Sequence, residues 1–381
     1  MGAAFPLLVA SITRDPLLVA GVTVVNRLPW LFFALPAGAL VDRMDRRRVM
    51  VAVDWGRGIV IGVLGILLLI GDVHLAVIYV VAFLLGSSET MFDTSAEAIL
   101  PAVVGADALE AANGRIQSTE WAANSFVGPP VGAALFVAVV ALPFLFNAVS
   151  FAVAAVLVAS INGTFRAERE VDRSKGAIRR EVGEGLSWLW GHVVLRTLSI
   201  MAGIINLMAF GIIAIWVLYV QDEVGLGDVG FGILLAAMGS GGLLGALSAA
   251  IVAGRIGQGS TLMGAMAVLT GTAVAMGMTS TPAVVFACGV VIGFGLGLWN
   301  VVVISLRQSL TPDELRGRVA ATSRMLAWGT QPLGALLGGV VANIYGLRAP
   351  FYMAAAVWII LLLAVAPIVN NRRIEALKAT A

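Results

Sequence analysis

Residues 38–48 read Gly38-Ala39-Leu40-Val41-Asp42-Arg43-Met44-Asp45-Arg46-Arg47-Arg48, six charges in a short loop with more than twenty predominantly apolar residues on either side. In a soluble domain both flanks would have to be buried, and so dense a charged loop would serve no purpose between them. Across a bilayer the same pattern is a tight turn between two spanning helices. A span takes about 20 apolar residues, and arginines hold the turn out of the hydrocarbon. Composition agrees: 60% of the chain is hydrophobic and 12% is charged, against roughly 25% charged in a soluble domain. The 44 glycines suit helices that must approach closely in lipid. One cysteine, Cys288, excludes an intrachain disulfide, and His74 and His192 form no metal-binding pair.

Apolar runs at 16–41, 49–70, 75–100, 114–140, 143–161, 193–220, 229–252, 260–279, 283–308, 317–343 and 349–369 predict eleven full spans in an all-α integral membrane protein. Met1–Ile12 is apolar but too short to span, and it lacks the basic start of a signal peptide. The expectation is a chain that begins partway through a first transmembrane helix, with a short interfacial segment as the alternative. If the 42–48 loop is cytoplasmic, 18 of the 24 lysines and arginines fall on that side, and Arg14 and Arg348 on the other. Arg27, Arg57, Arg196 and Arg324 remain inside spans. The basic balance then reflects topology rather than a nucleic-acid partner, and the C-terminus is cytoplasmic.

Residues 162–191 form the one long polar stretch, with 181–190 readable as a short amphipathic surface helix. The predicted organisation is an N-terminal six-helix lobe over 1–161 with an incomplete first helix, a cytoplasmic linker over 162–191, and a C-terminal six-helix lobe with a short tail over 192–381. The lobes echo each other weakly. Gly114-Arg115 is followed by Pro129, and Gly317-Arg318 by Pro332, fourteen residues past the arginine in both cases. Parallel repeats about an axis along the membrane normal are a transporter architecture.

The pattern Gly38-x-Leu40-x-Asp42-Arg43-x-x-Arg46-Arg47 resembles the signature loop, motif A, of the major facilitator superfamily, with Asp45 where many members carry glycine. Gly128-Pro129-Pro130-Val131-Gly132 is similar to the antiporter motif C without its upstream glycines, and Gly254–Gly259 looks like a degenerate second-lobe copy of motif A. The arginine of motif B is absent; 75–100 carries Glu89, Asp93 and Glu97 instead. Phe92-Asp93-Thr94 through Pro101, and then Leu109 through Arg115, look like the branch of macrolide-efflux and enterobactin-export proteins. The resemblance implies two six-helix lobes and a monomeric secondary transporter in the cell membrane, not an enzyme. It implies alternating access and proton-coupled export of drug-like or secondary-metabolite molecules, with small-molecule substrate, protons and the lipid bilayer as partners and no cofactor. Siderophore export, metabolite import, and a truncated inactive or sensing protein are the alternatives. The resemblance further implies that Asp42 latches the lobes together at the helix starting near Gly317. The chain has no G-x-x-x-x-G-K-[ST] phosphate loop, which leaves an ion gradient, or a separate partner, as the energy source.

Ionisable residues inside spans are functional candidates by default. Glu89, Asp93 and Glu97 recur every fourth residue, a single acidic stripe about 12 Å long. Counting turns sets Asp93 level with Arg57 and Glu89 level with Arg27, while Asp54 and Arg57 can pair locally. These are either structural ion pairs or a proton-exchange site, for which Asp93 and then Glu89 are the candidates. The second-lobe acids Asp222, Glu223, Asp228, Asp313, Glu314 and Glu375 all read as loop or tail residues. A midplane substrate cavity between lobes has Asn26, Asn124, Asn206, Trp216, Trp299, Asn300 and Gln331 as candidate walls. Their aromatic, sparsely polar character suits bulky amphipathic compounds.

Overall fold

The computed structural model describes residues 2–41, 44–71, 73–104, 109–161, 163, 165, 177–312 and 315–378, and among these there are helices and no strands. A bilayer dictates that outcome, since each backbone polar group in hydrocarbon needs a partner within its own segment or a closed barrel. The chain divides into two compact units, Met1–Lys175 and Gly176–Ala381. The first holds α1 (Ala4–Ile12), α2 (Pro16–Val41), α3 (Arg46–Ile70), α4 (Leu75–Val104), α5 (Leu109–Trp121), a π-helical segment (Ala122–Val127), α6 (Gly128–Ala138) and α7 (Leu142–Ala159). The second holds α8 (Ala177–Gly191), α9 (Val193–Leu218), a π-helical segment (Tyr219–Glu223), α10 (Asp228–Ile256), α11 (Gln258–Met278) and α12 (Pro282–Leu310). It continues with α13 (Arg316–Trp328), α14 (Gln331–Tyr345), α15 (Ala349–Val365) and α16 (Asn371–Lys378).

Among the described residues ten helical runs are long and apolar enough to cross a membrane, and α15 is a shorter apolar helix. The expected last span ran to residue 369; α15 stops at Val365, because Pro367 lacks the amide a continuing helix would need. The segment α1 packs within its unit against α2 and α6, with Phe5 edge-on to Phe144 at 5.5 Å. Within the polar segment, α8 falls in the second unit and packs Trp188 and Leu189 against Leu195 and Val319.

The spans expected over 114–140, where Pro129 and Pro130 predict a kink, and over 317–343 are interrupted. Residues 114–140 form α5, a π turn and α6, since Pro129 and Pro130 remove two consecutive amide donors and the preceding turn widens to absorb them. Residues 317–343 break between α13 and α14, where the Thr330 hydroxyl donates to the Gly203 carbonyl at 3.0 Å and to that of Ala327 at 2.9 Å.

The helix α3 shows which solvent the fold is built for. Ile59, Val63, Ile66 and Ile70 form one stripe, between 51% and 71% exposed. The opposite stripe, Asp54, Arg57, Ile61 and Leu64, is buried. A helix that turns isoleucines outward and an aspartate–arginine pair inward is arranged for lipid.

The two units share a pairing scheme. In the first, α2 packs on α4, α3 on α4 and α7, and α1 on α6; in the second, α10 packs on α12, α11 on α12 and α15, and α9 on α14. The α2–α4 crossing is held close by Gly86, where a Cβ would collide with the Asn26 carbonyl. The matching α10–α12 crossing uses Gly293 against Met238 and Gly297 against Gly242 in the same way. Backbone-to-backbone approach through small residues is how helices gain packing energy where lipid removes the hydrophobic drive.

Substituting Gly86→Ala is therefore expected to destabilise the purified protein by about 1–3 kcal/mol through overpacking. Gly56→Ala, where a Cβ meets nothing within 4 Å, is expected to be neutral or stabilising by up to about 1 kcal/mol. Thermal unfolding in detergent compares the two directly.

Candidate functional site

The signature loop opens α3. Gly38 lies on α2, while Asp42 and Arg43, the surroundings of Gly38 and the side chain of Glu97 lie outside the described residues. Asp45, the departure from the family pattern, is the N-cap of α3. Its extended backbone (φ −71°, ψ 113°) frees the carboxylate to accept the Arg48 amide at 3.1 Å. The other oxygen accepts the Phe165 amide at 3.3 Å, and the Arg46 amide donates to the Phe165 carbonyl at 3.2 Å. Arg47 donates through Nη1 to the Ile161 carbonyl, just past the end of α7. The start of α3 is thus strapped to the segment after α7. Burial acts to raise the Asp45 carboxyl pKa, but the Arg48 and Phe165 amides together with the Arg47 and Arg48 charges outweigh it and hold the group below its ordinary value.

Deeper in the same unit lie the intramembrane charges. Arg57 stands eleven residues into α3, about 17 Å along its axis, and so far inside a hydrocarbon layer of about 30 Å. Its side chain is 8% exposed and that of Asp54 is 2% exposed, with Nη1 3.4 Å from Asp54 Oδ1. The guanidinium lies 5.0 Å from the centroid of Phe92 and 5.4 Å from that of Phe151, within cation–π range. Glu89 and Asp93 of α4 also act electrostatically on Arg57. Arg27 of α2 approaches Glu89, Nη1 to Oε1 3.9 Å, with both side chains partly exposed. One connected group, Arg27, Glu89, Asp93, Arg57 and Asp54, therefore runs across α2, α4 and α3.

Asp54 is the member the sequence reading passed over as a local partner. The structure leaves its Oδ2, and Nη2 of Arg57, buried without a hydrogen-bond partner. The available signal was an aspartate one turn before an arginine in the middle of an apolar run, with Phe92 adjoining Asp93 to plate the cation.

The other candidate residues are dispersed. Asn26 donates to the Ala82 carbonyl at 3.2 Å, tying α2 to α4. Asn206 donates to the Ala202 carbonyl at 2.9 Å and accepts from Gln331 at 3.3 Å, joining α9 to α14. Trp216 is buried with Nε1 unpartnered, and Trp299 is buried. Asn124 and Asn300 are exposed. Among the described residues no hydrogen bond joins Trp216, Trp299 or Asn300 to the Asn206–Gln331 pair. Gly128 opens α6 where a Cβ would collide with the Ala123 carbonyl, Pro129 is buried, and Gly132 has open space beside it.

Two outcomes test this geometry. Arg57→Met is expected to cost about 3–5 kcal/mol by stranding the Asp54 charge, and the double variant with Asp54→Leu to recover most of it; thermal unfolding of the purified variants decides. The Asp45 contribution is expected to be full above about pH 4, the unfolded carboxylate range, and to be lost as pH falls through the lower folded value. Asp45→Ala should cost about 0.5–2 kcal/mol near neutrality as a lost cap and flatten the acid limb of a stability–pH curve.

Comparison with known proteins adds to the geometry. A multidrug efflux pump, Tap, of Mycolicibacterium fortuitum is 29% identical over 362 residues, 91% of this chain and 86% of that protein. Tap of Mycobacterium tuberculosis H37Rv is 27% identical over 363 residues, 92% of this chain and 85% of that protein. A crystal structure of the nucleoside transporter NupG superposes with a TM-score of 0.76 at 11% identity, covering 97% of this chain and 96% of that one. A bacterial homologue of the iron transporter ferroportin in its inward-facing state gives 0.70 at 17% identity, covering 94% of each; at these identities the two structures speak for the fold alone. The family model described as transmembrane secretion effector, MFS_3, matches residues 2–381. With the helical architecture, the repeated pairing scheme and the motif A loop, that match shows that this chain is a multi-pass membrane transporter belonging to the transmembrane secretion effector family of the major facilitator superfamily.

Proposed function

We propose that the protein is a proton-coupled exporter of bulky, amphipathic, drug-like molecules, working by alternating access as a monomer in the cell membrane. The observation that carries the reading is the buried Asp54–Arg57 pair of α3 with the α4 carboxylates acting on it, set within apolar spans where an unpaired charge is costly. The described acids of the second unit, Glu181, Glu184, Asp222, Glu223, Asp228 and Glu375, lie at helix ends or outside the apolar spans. That distribution favours a coupling site in the first unit. The substrate class rests on the two efflux-pump relatives, which align with nine-tenths of this chain. The gathering of arginines at 46–48, 179–180 and 372–373 favours a cytoplasmic placement of the start of α3 and of the C-terminus.

In everted vesicles, export of a fluorescent cationic dye is expected to follow the proton gradient and to collapse with an uncoupler. Asp93→Asn should lower gradient-driven movement to the uncoupled level by removing one of the carboxylates around Arg57. Wild-type transport by Asp93→Asn would take that residue out of the coupling machinery. A folded protein that moves no dye under a proton gradient would refute proton-coupled drug export.

A further inference from the structure

With all five ionised, Arg27, Arg57, Asp54, Glu89 and Asp93 carry three negative charges and two positive ones. A net charge of one unit inside hydrocarbon is unstable unless it is hydrated or neutralised. Glu89 is partly exposed and faces Arg27, so its charge has a cationic partner where it stands. Asp54 is different. It is 1% exposed, it holds Arg57 through a long 3.4 Å contact on one oxygen, and its other oxygen has no partner. Burying an ionised carboxylate with an oxygen unsatisfied costs more than burying the neutral acid. Arg57, also with a buried unpartnered nitrogen, has alternatives within electrostatic reach, Glu89 and Asp93. The elements packed on α3 are α4 and α7. The helix α7 carries no charged residue, so the described charged groups around the pair are Arg57 beside Asp54, and Glu89 and Asp93 on α4, which act on Arg57, with Arg27 against Glu89.

We propose that this group holds one exchangeable proton, that its seat is Asp54, and that Arg57 passes from Asp54 to Glu89 and Asp93 when Asp54 is protonated. The proposal rests on the proton-coupled reading above and names the residue within it. An O–H bond of hydronium breaks, leaving water, as its proton bonds to Asp54 Oδ2; the Arg57 N–H contact to Oδ1 gives way, and the guanidinium pairs with the α4 carboxylates. On release the O–H bond breaks, the proton returns to water, and Arg57 returns to Asp54. No electrons change hands, and the group cycles between neutral and −1. The rings of Phe92 and Phe151 stay against the guanidinium and keep it desolvated in both arrangements.

The test uses the purified full-length chain and two readouts. Infrared spectroscopy over a pH series is expected to show a protonated-carboxyl band that Asp54→Asn lacks and that Asp93→Asn and Glu89→Gln retain. Addition of the cationic dye is expected to release about one proton per wild-type chain, as linkage between ligand and proton requires, and none from Asp54→Asn. If Asp54→Asn does not fold, Asp54→Glu, which keeps a carboxyl, is expected to retain the band with a shifted pH midpoint; an unmoved midpoint would overturn the assignment. Persistence of band and proton release in Asp54→Asn, with their loss in Asp93→Asn or Glu89→Gln, places the proton elsewhere and leaves the proton-coupled reading standing. Dye transport by the wild type with no proton release removes that reading and this assignment together.

Discussion

Arg57 is the charge around which the first unit is organised. A guanidinium about 17 Å into a spanning helix cannot reach water at either end and cannot be neutralised by losing its proton. It must be solvated by protein, and the surroundings of α3 follow from that requirement. Asp54 lies one turn below it, two rings plate it, and α4 brings a pair of carboxylates. The isoleucine stripe is turned the other way, toward lipid. The α3–α4 contact is a solvation shell made of side chains, and the α3–α7 contact closes it with Phe151.

The same physics explains why glycine carries so much of the helix packing. Lipid tails are as apolar as leucine, so apolar side chains gain little by leaving them, and close backbone approach takes over as the source of cohesion. Gly86 against Asn26 in one unit, and Gly293 and Gly297 against Met238 and Gly242 in the other, put the same device at the same crossing of the repeated scheme. Some of the polar side chains that bridge helices, Asn26 to Ala82 and Gln331 to Asn206, do so with amide hydrogen bonds of 3.2 and 3.3 Å rather than with charge.

How much of this could be read in advance depended on the range of each interaction. The spans and the charged loop were legible because hydrocarbon imposes a minimum length and excludes arginine. Counting turns set Glu89 beside Arg27, and the two side chains lie 3.9 Å apart, because helical rise is nearly constant. The form of the interruption before Pro129 was not legible; two prolines announce a break without saying whether the chain kinks or widens. Nor was the Asp45 strap, whose partner Phe165 sits in a stretch without periodicity and is 120 residues away. The unpaired oxygen of Asp54 depends on what three helices fail to supply, which no local spacing encodes.

The order of residues along the chain gives the Asp54–Arg57 pair a meaning in time. A ribosome adds roughly 5–20 residues per second, so α3 is made before α4 and well before α7. When Arg57 first meets the bilayer, Glu89, Asp93 and Phe151 have not yet reached it, and of its three acidic neighbours Asp54 alone is already in place. The aspartate is thus a travelling counter-ion that lets an arginine-bearing helix enter lipid before its final solvation shell exists. The strap from Asp45 to Phe165 waits another hundred residues, which makes it a closing step in the assembly of the first unit rather than a seed for it.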